Sequence, residues 1–405
     1  MTVSDLAQDL PQSAHLPRPY GLLGFFGRRL VCGSATLVLP DGSRRLYQGS
    51  EPGPHAELHI LSPRAVRRLI SGGSTGFAEA YMAGEVDSPD LAAFLRIAAL
   101  NFESWEERLE GSAAYRMMRR LWHLMRPNSR TGAKRNIAFH YDLGNDFYEA
   151  WLDETMTYSS AVFEHDAMDL TAAQQVKYRR IAAAAQLAPD HHLLEIGCGW
   201  GGFAEFAAKE MGARVTAVTI SDEQFAFARR RIHEAGLAEK VEIRRQDYRD
   251  IPERFDRVAS IEMFEAVGEK YWPGYFTKLR DSLKPGGRAA LQVITIADGF
   301  FERYRRGADF IQRYIFPGGM LPSPTVLKRE VETAGLRWIG DCDYGQHYAR
   351  TLADWHGRFD AAWPQLTTLG FDNYFQRMWK YYLAYCEAGF ATGRIDVKQL
   401  ALARD

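Results

Sequence analysis

The stretch LLEIGCGWGG, Leu193 to Gly202, constrains the fold more than any other part of the chain. An apolar run (Leu193, Leu194, Ile196) ends in glycines at 197, 199, 201 and 202, and a helical pattern begins at Phe203. That order reads as a buried strand, a tight turn and a helix, with backbone bare enough for a ligand to lie against it. So many glycines at one corner carry an entropic cost, which makes a turn without a ligand the weaker reading. The acidic Glu195 lies inside the strand end, and the G-x-G-x-x-G of a dinucleotide fold is missing.

The residues that follow repeat the same alternation. Arg214 to Ile220 (RVTAVTI), KVEIR, DRVASIEMF and RAALQVITI read as strands, separated by helical patterns after Ser221-Asp222 and over 271–283. Strands that are nearly continuously apolar and alternate with helices form a mostly parallel sheet covered on both faces. Ligands sit at the carboxyl ends of such strands. The glycine loop, Thr219, Asp247, Tyr248, Glu262, Glu265 and Gln292 therefore belong to one site. An aromatic insertion at 297–323, turned by Pro317, Gly318, Gly319 and Pro322, is a candidate acyl-chain channel or a packed flap. A helix and strands (Pro324 to Asp341, then Gln346 to Ala349) are expected to finish the sheet, with a helical tail from Asp354.

Ahead of this lies a smaller α+β domain, residues 1–125, with a hairpin across Asp41-Gly42, a strand AELHILS and short helices after Pro63. It is a candidate membrane-surface or oligomer contact. Residues 126–170 read as a basic linker and an aromatic lid, and 171–405 as the nucleotide-type domain. A formal charge of -1 argues against nucleic acid as a partner. The charge is unevenly spread: Gly111 to Tyr141 carries Arg116, Arg119, Arg120, Arg126, Arg130, Lys134 and Arg135 with no acid, which suits either a solvated face or anionic lipid. Four scattered cysteines have neither disulfide nor zinc spacing, and no metal site is expected. No run approaches a membrane span, and no signal-peptide layout is present, so the expected location is cytoplasmic.

The glycine corner resembles the first motif of the class I S-adenosylmethionine (AdoMet) methyltransferases. With HYDLGNDFY, TMTYSS, TISDEQ, MFEAVG and HYARTL in order, the chain from about His140 to Phe390 resembles the cyclopropane-fatty-acyl-phospholipid synthase family, which includes the mycolic acid cyclopropane synthases. The resemblance implies a Rossmann-like, mostly parallel seven-stranded sheet and methyl transfer from AdoMet to the double bond of an unsaturated phospholipid acyl chain. It places Tyr158 and Ser159 at the methionine end of the cofactor, and Gly197, Gly199 and Gly201 beneath it. Thr219, Ile220 and Gln224 would serve the ribose, and Asp247 and Tyr248 the adenine.

In that family a bound bicarbonate, held by a cysteine, a glutamate, a histidine and a tyrosine, removes the proton. Glu265 and Tyr348 match two of these positions; Ser160 and Gln292 replace the cysteine and histidine, and Ala266 replaces a further histidine. Glu265 itself, or His347 beside Tyr348, is the candidate base in a version without bicarbonate. Loss of a proton from the new methyl closes a cyclopropane, whereas loss from a neighbouring chain carbon gives a methyl-branched or methylene chain. On this reading the protein visits the inner face of the membrane, and Glu265→Gln lowers turnover steeply. A small-molecule methyltransferase is the alternative.

Overall fold

The computed structural model describes residue 16 and residues 20–110 and 143–405. The basic segment and the boundary at residue 125 lie outside the described residues. The chain divides into two compact units, Met1–Arg135 with Gly370–Thr392, and Asn136–Leu369 with Gly393–Asp405.

The first unit holds a four-stranded sheet ordered β2-β1-β3-β4: β1 Cys32–Val38, β2 Arg44–Gln48, β3 Glu51–Ile60 and β4 Val86–Asp87. β1 and β2 form the expected hairpin, with Val38 opposite Arg44. The helix Arg64–Met82 is broken at Gly73, whose φ of 56° a side chain would strain. This unit also takes the helix Asn373–Ala391, which the sequence reading had left in the 171–405 domain. Its reason is aromatic: Tyr381 packs against Phe77 and Tyr81, and Arg377 donates to the carbonyl of Val86 at 2.7 Å.

The second unit is built on a seven-stranded sheet. Its strands are β5 His192–Ile196, β6 Arg214–Thr219, β7 Val241–Arg245, β8 Phe255–Ile261, β9 Leu283–Ile296, β10 Arg337–Asp343 and β11 Ile395–Ala403. They are ordered β10-β11-β9-β8-β5-β6-β7. β5 to β9 run parallel, while β11 is antiparallel to both β9 and β10. Apolar side chains fill both faces. Leu194, Val258, Leu291 and Phe276 lie in one core cluster, and Leu193, Val215, Phe203 and Ile181 in the other, all at most 3% exposed. This double coverage is why the strands read as apolar runs rather than alternating ones.

Two expectations are corrected here. Gln346–Ala349 is not a strand; it lies in the first turn of the helix Gly345–Thr368. The sheet is finished instead by β11, IDVKQLALA, within the tail expected to be helical. Its apolar, β-branched character and central pairing with β9 and β10 make it a strand. Among the described residues no helix is long and apolar enough to cross a membrane, and no cluster of His, Cys, Asp and Glu could hold a metal.

Candidate active site

The glycine corner folds as its sequence requires. Gly197, Gly199 and Gly201 have φ of 81°, 52° and 83°, a region that non-glycine residues avoid. A Cβ on Gly197 would meet Met263 Cγ at 2.6 Å, whereas one on Gly199 would meet nothing within 4 Å. The loop is thus packed hard from below and open above, as a cradle for a ligand should be. Beyond β6, Thr219 Oγ1 donates to Gln224 Oε1 at 2.8 Å, and Ile220 is 69% exposed, an apolar face at the strand end. Beyond β7, Asp247 accepts from the backbone and guanidinium of Arg249, which hold its carboxyl below the usual range, and Tyr248 is half-buried beside it. Tyr158 packs in an aromatic group with Tyr148, Trp151 and Trp355. Nearby, Asn145 accepts from Trp200 Nε1 at 2.7 Å. These residues fit AdoMet: a bare cradle, neutral polar groups and apolar faces at adjoining strand ends.

The candidate proton-handling residues are arranged differently from the sequence expectation. Tyr348, Gln292 and Ser160 converge on Glu262, not on Glu265. Glu262 Oε2 accepts from Tyr348 Oη at 2.6 Å, and Oε1 accepts from Gln292 Nε2 at 2.7 Å and from the backbone N–H of Ser160 at 2.8 Å. The β8–β9 register explains the meeting, because Ile261 pairs with Gln292 and Glu262 is the next residue. Gln292 is oriented from behind: its Oε1 accepts from Gln399 Nε2 on β11 at 2.9 Å, so its amide nitrogen faces Glu262. Glu262 itself has φ of 49°, a strained conformation for a side-chain-bearing residue and one often stored at functional sites. Burial pushes its carboxyl above the usual range, while Tyr348, Gln292, Ser160 N–H and the Lys177 ammonium oppose that shift.

The hydroxyl of Ser160 plays no part in holding the carboxylate; it donates to Ala161 O at 3.0 Å. Serine in place of cysteine therefore leaves this backbone contact unaltered. His347 is engaged elsewhere, its Nδ1 accepting from the Phe163 N–H at 3.0 Å and its ring pKa lowered by burial and by Arg180 and Arg350. It serves the chain segment at 163 rather than the Glu262 cluster. Glu265 also stands apart. One carboxyl oxygen accepts from Ile294 N–H at 2.5 Å, the other has no hydrogen-bond partner, and burial with the Glu262 charge pushes its pKa up to about 8. Its backbone carbonyl accepts from Met320 N–H at 2.9 Å, which ties the 297–323 insertion to this loop.

Bicarbonate does not fit these residues. The donors that would hold it, Tyr348, Gln292 and the Ser160 segment, are already engaged by the Glu262 carboxylate. Sequence reasoning put Glu262 at the site but missed its part. The signal was available: an acid one residue past β8, next to the residue that pairs with Gln292.

Comparison with known proteins agrees with this fold. Residues 128–400 match the family model described as mycolic acid cyclopropane synthetase. The chain belongs to that family. It is 41% identical to the tuberculostearic acid methyltransferase of Mycobacterium tuberculosis, over 91% of this chain and 87% of that one. It is 36% identical to the cyclopropane-fatty-acyl-phospholipid synthase of Escherichia coli, over 88% of this chain and 89% of that one. Among solved structures, a mycolic acid cyclopropane synthase complexed with SAH and CTAB aligns with a TM-score of 0.63 at 30% identity, covering 67% of this chain and 98% of that one. The protein is a class I AdoMet-dependent methyltransferase of the cyclopropane synthase family, and its chemistry is modification of lipid acyl chains.

Proposed function

We propose that the protein methylates the double bond of an unsaturated fatty acyl chain of a phospholipid at a membrane surface, with Glu262 as proton acceptor. The observation carrying this reading is the Glu262 carboxylate, held by Tyr348, Gln292 and Ser160 N–H at the carboxyl end of β8. AdoMet supplies an electrophilic methyl group. An alkene is a weak nucleophile, so the chain's contribution is to align it in a dry pocket. The aromatic insertion, bonded to the Glu265 loop, is the element we assign to the acyl chain.

As one alkene carbon takes the methyl, whose bond to sulfur breaks to leave a neutral thioether, the other alkene carbon becomes cationic. The negative Glu262 and the rings of Tyr158 and Tyr348 favour that charge. Glu262 then accepts one proton. Taken from the new methyl as that carbon bonds to the cationic one, it leaves a cyclopropane. Taken after a hydride has shifted between the two former alkene carbons, it leaves a methylene group. A saturated methyl branch needs a later addition of a hydride and a proton to that methylene group, which is a separate, reductive class of reaction.

We favour the product without a ring. The support is the tethered carboxylate in the position the family resemblance assigns to bicarbonate, the departures at Ser160, Gln292 and Ala266, and the 41% identity to an enzyme named a methyltransferase. Cyclopropane formation is the second reading, favoured by the 36% identity to a cyclopropane-fatty-acyl-phospholipid synthase. Incubation with unsaturated phospholipid and methyl-labelled AdoMet, then mass spectrometry of the acyl product, separates them. A labelled ring overturns the first reading, and absence of label in lipid overturns both.

A further inference from the structure

The helix Leu170–Ala184 carries two fully buried polar side chains, Gln174 and Lys177, three residues apart and so on one face. Both reach the same residue in the irregular segment before the site. Gln174 Nε2 donates to the carbonyl oxygen of Ser159 at 2.9 Å, and Lys177 Nζ donates to Ser159 Oγ at 2.8 Å. The peptide group that Gln174 holds by its carbonyl is the one whose N–H, on Ser160, donates to Glu262 at 2.8 Å. One amide thus links helix and carboxylate through its two ends. A hydrogen bond to an amide oxygen polarises the amide and strengthens the bond its N–H makes.

We propose that Gln174 and Lys177 are positioning residues for Glu262, acting through Ser159, Gln174 on the Ser159–Ser160 peptide and Lys177 on the Ser159 hydroxyl, to fix the direction and strength of the backbone hydrogen bond from Ser160. The inference rests on the reading of Glu262 as proton acceptor. Two buried polar groups on a helix that otherwise packs through Ala173, Val176 and Ile181 are a costly way merely to pin a loop. Gln174 Oε1 has no hydrogen-bond partner, so only the donor end of that amide is used. Burial pulls the pKa of the Lys177 amine down to about 7, while Glu262, Asp153 and Glu195 of β5 favour its charged form. From the remaining elements, Tyr348 lowers the proton affinity of Glu262, and the Glu262 charge raises that of Glu265.

The test is the pH dependence of kcat for the full chain with AdoMet and unsaturated phospholipid vesicles. Gln174→Met keeps the volume and removes the donor. It is expected to lower kcat about tenfold and to move the acid limb upward by about one pH unit, because a weaker N–H bond raises the proton affinity of Glu262. The KM for AdoMet should change less than about threefold, the pattern of a group that acts on the chemical step rather than on binding. Lys177→Met moves the limb the same way. Val176→Ala, in the same helix, lowers Tm and leaves the limb in place. Should Gln174→Met fail to fold, Gln174→Asn, too short to reach Ser159, gives the same readout. A wild-type limb in Gln174→Met alongside an inactive Glu262→Gln overturns this proposal alone. Wild-type turnover in Glu262→Gln overturns both it and the proton-acceptor reading.

Discussion

Glu262 and Glu265 lie three residues apart in one loop beyond β8, yet the protein gives them opposite surroundings. Glu262 has three donors and a nearby ammonium. Glu265 has one backbone donor, one oxygen without a partner and the like charge of Glu262 beside it. Burial raises both carboxyls above their ordinary range, but the donors oppose that rise at Glu262, whereas the Glu262 charge adds to it at Glu265 and carries it to about 8. Burial is the largest influence on both carboxyls, and the donors are what separates them. The φ of 49° at Glu262 is local backbone strain confined to the first of the two acids.

The largest effect should come from removing the charged carboxylate. Glu262→Gln keeps the shape and should lower kcat by about 10²- to 10⁴-fold, the usual share of a general base, while AdoMet binding by calorimetry stays near wild type. Loss of cofactor binding instead would make Glu262 a cradle residue. Next, Tyr348→Phe removes one hydrogen bond to that charge and should cost about tenfold to a hundredfold in kcat, since such bonds are worth about 1.5–3 kcal/mol. Its acid limb should rise, because Tyr348 lowers the proton affinity of Glu262.

The smallest catalytic effect is expected at Glu265. Glu265→Gln imitates a neutral carboxyl and should cost less than about tenfold in kcat, which replaces the steep loss expected from the motif alone. Its signature is in stability. A carboxyl whose folded pKa is raised to about 8 stabilises fully below its ordinary pKa of 4.5 and loses that contribution as pH rises toward 8. Thermal melts of wild type should fall across that window, and Glu265→Gln should fall less. The buried Glu195, also pushed to about 8, leaves part of the slope in place. Equal slopes in wild type and Glu265→Gln would show that Glu265 is charged, and the contrast between the two pockets would fail.

How much of this was legible in the sequence follows from the reach of the interactions. The glycine corner and parallel strands are local and apolar, so LLEIGCGWGG and RVTAVTI announced them. The strand β11 was missed because IDVKQLALA follows two long helices and owes its state to pairing with β9 and β10, a tertiary effect. The motif MFEAVG drew attention to Glu265, and register alone shows that Gln292 pairs with Ile261, next to Glu262. Gln174 and Lys177 gave a faint signal, two polar residues three apart on an otherwise apolar helical face. Their common target, Ser159, lies 15 and 18 residues away through irregular chain, a distance periodicity cannot bridge.

The central claim is that the proton acceptor is built into the chain as Glu262 rather than bound from solution. Its most direct test is turnover of the wild-type protein, on unsaturated phospholipid and AdoMet, in buffer stripped of carbon dioxide and bicarbonate. With Glu262 already engaging the donors of Tyr348, Gln292 and Ser160, kcat should be unchanged by the stripping and by adding bicarbonate back. A collapse of kcat that bicarbonate restores would contradict the account.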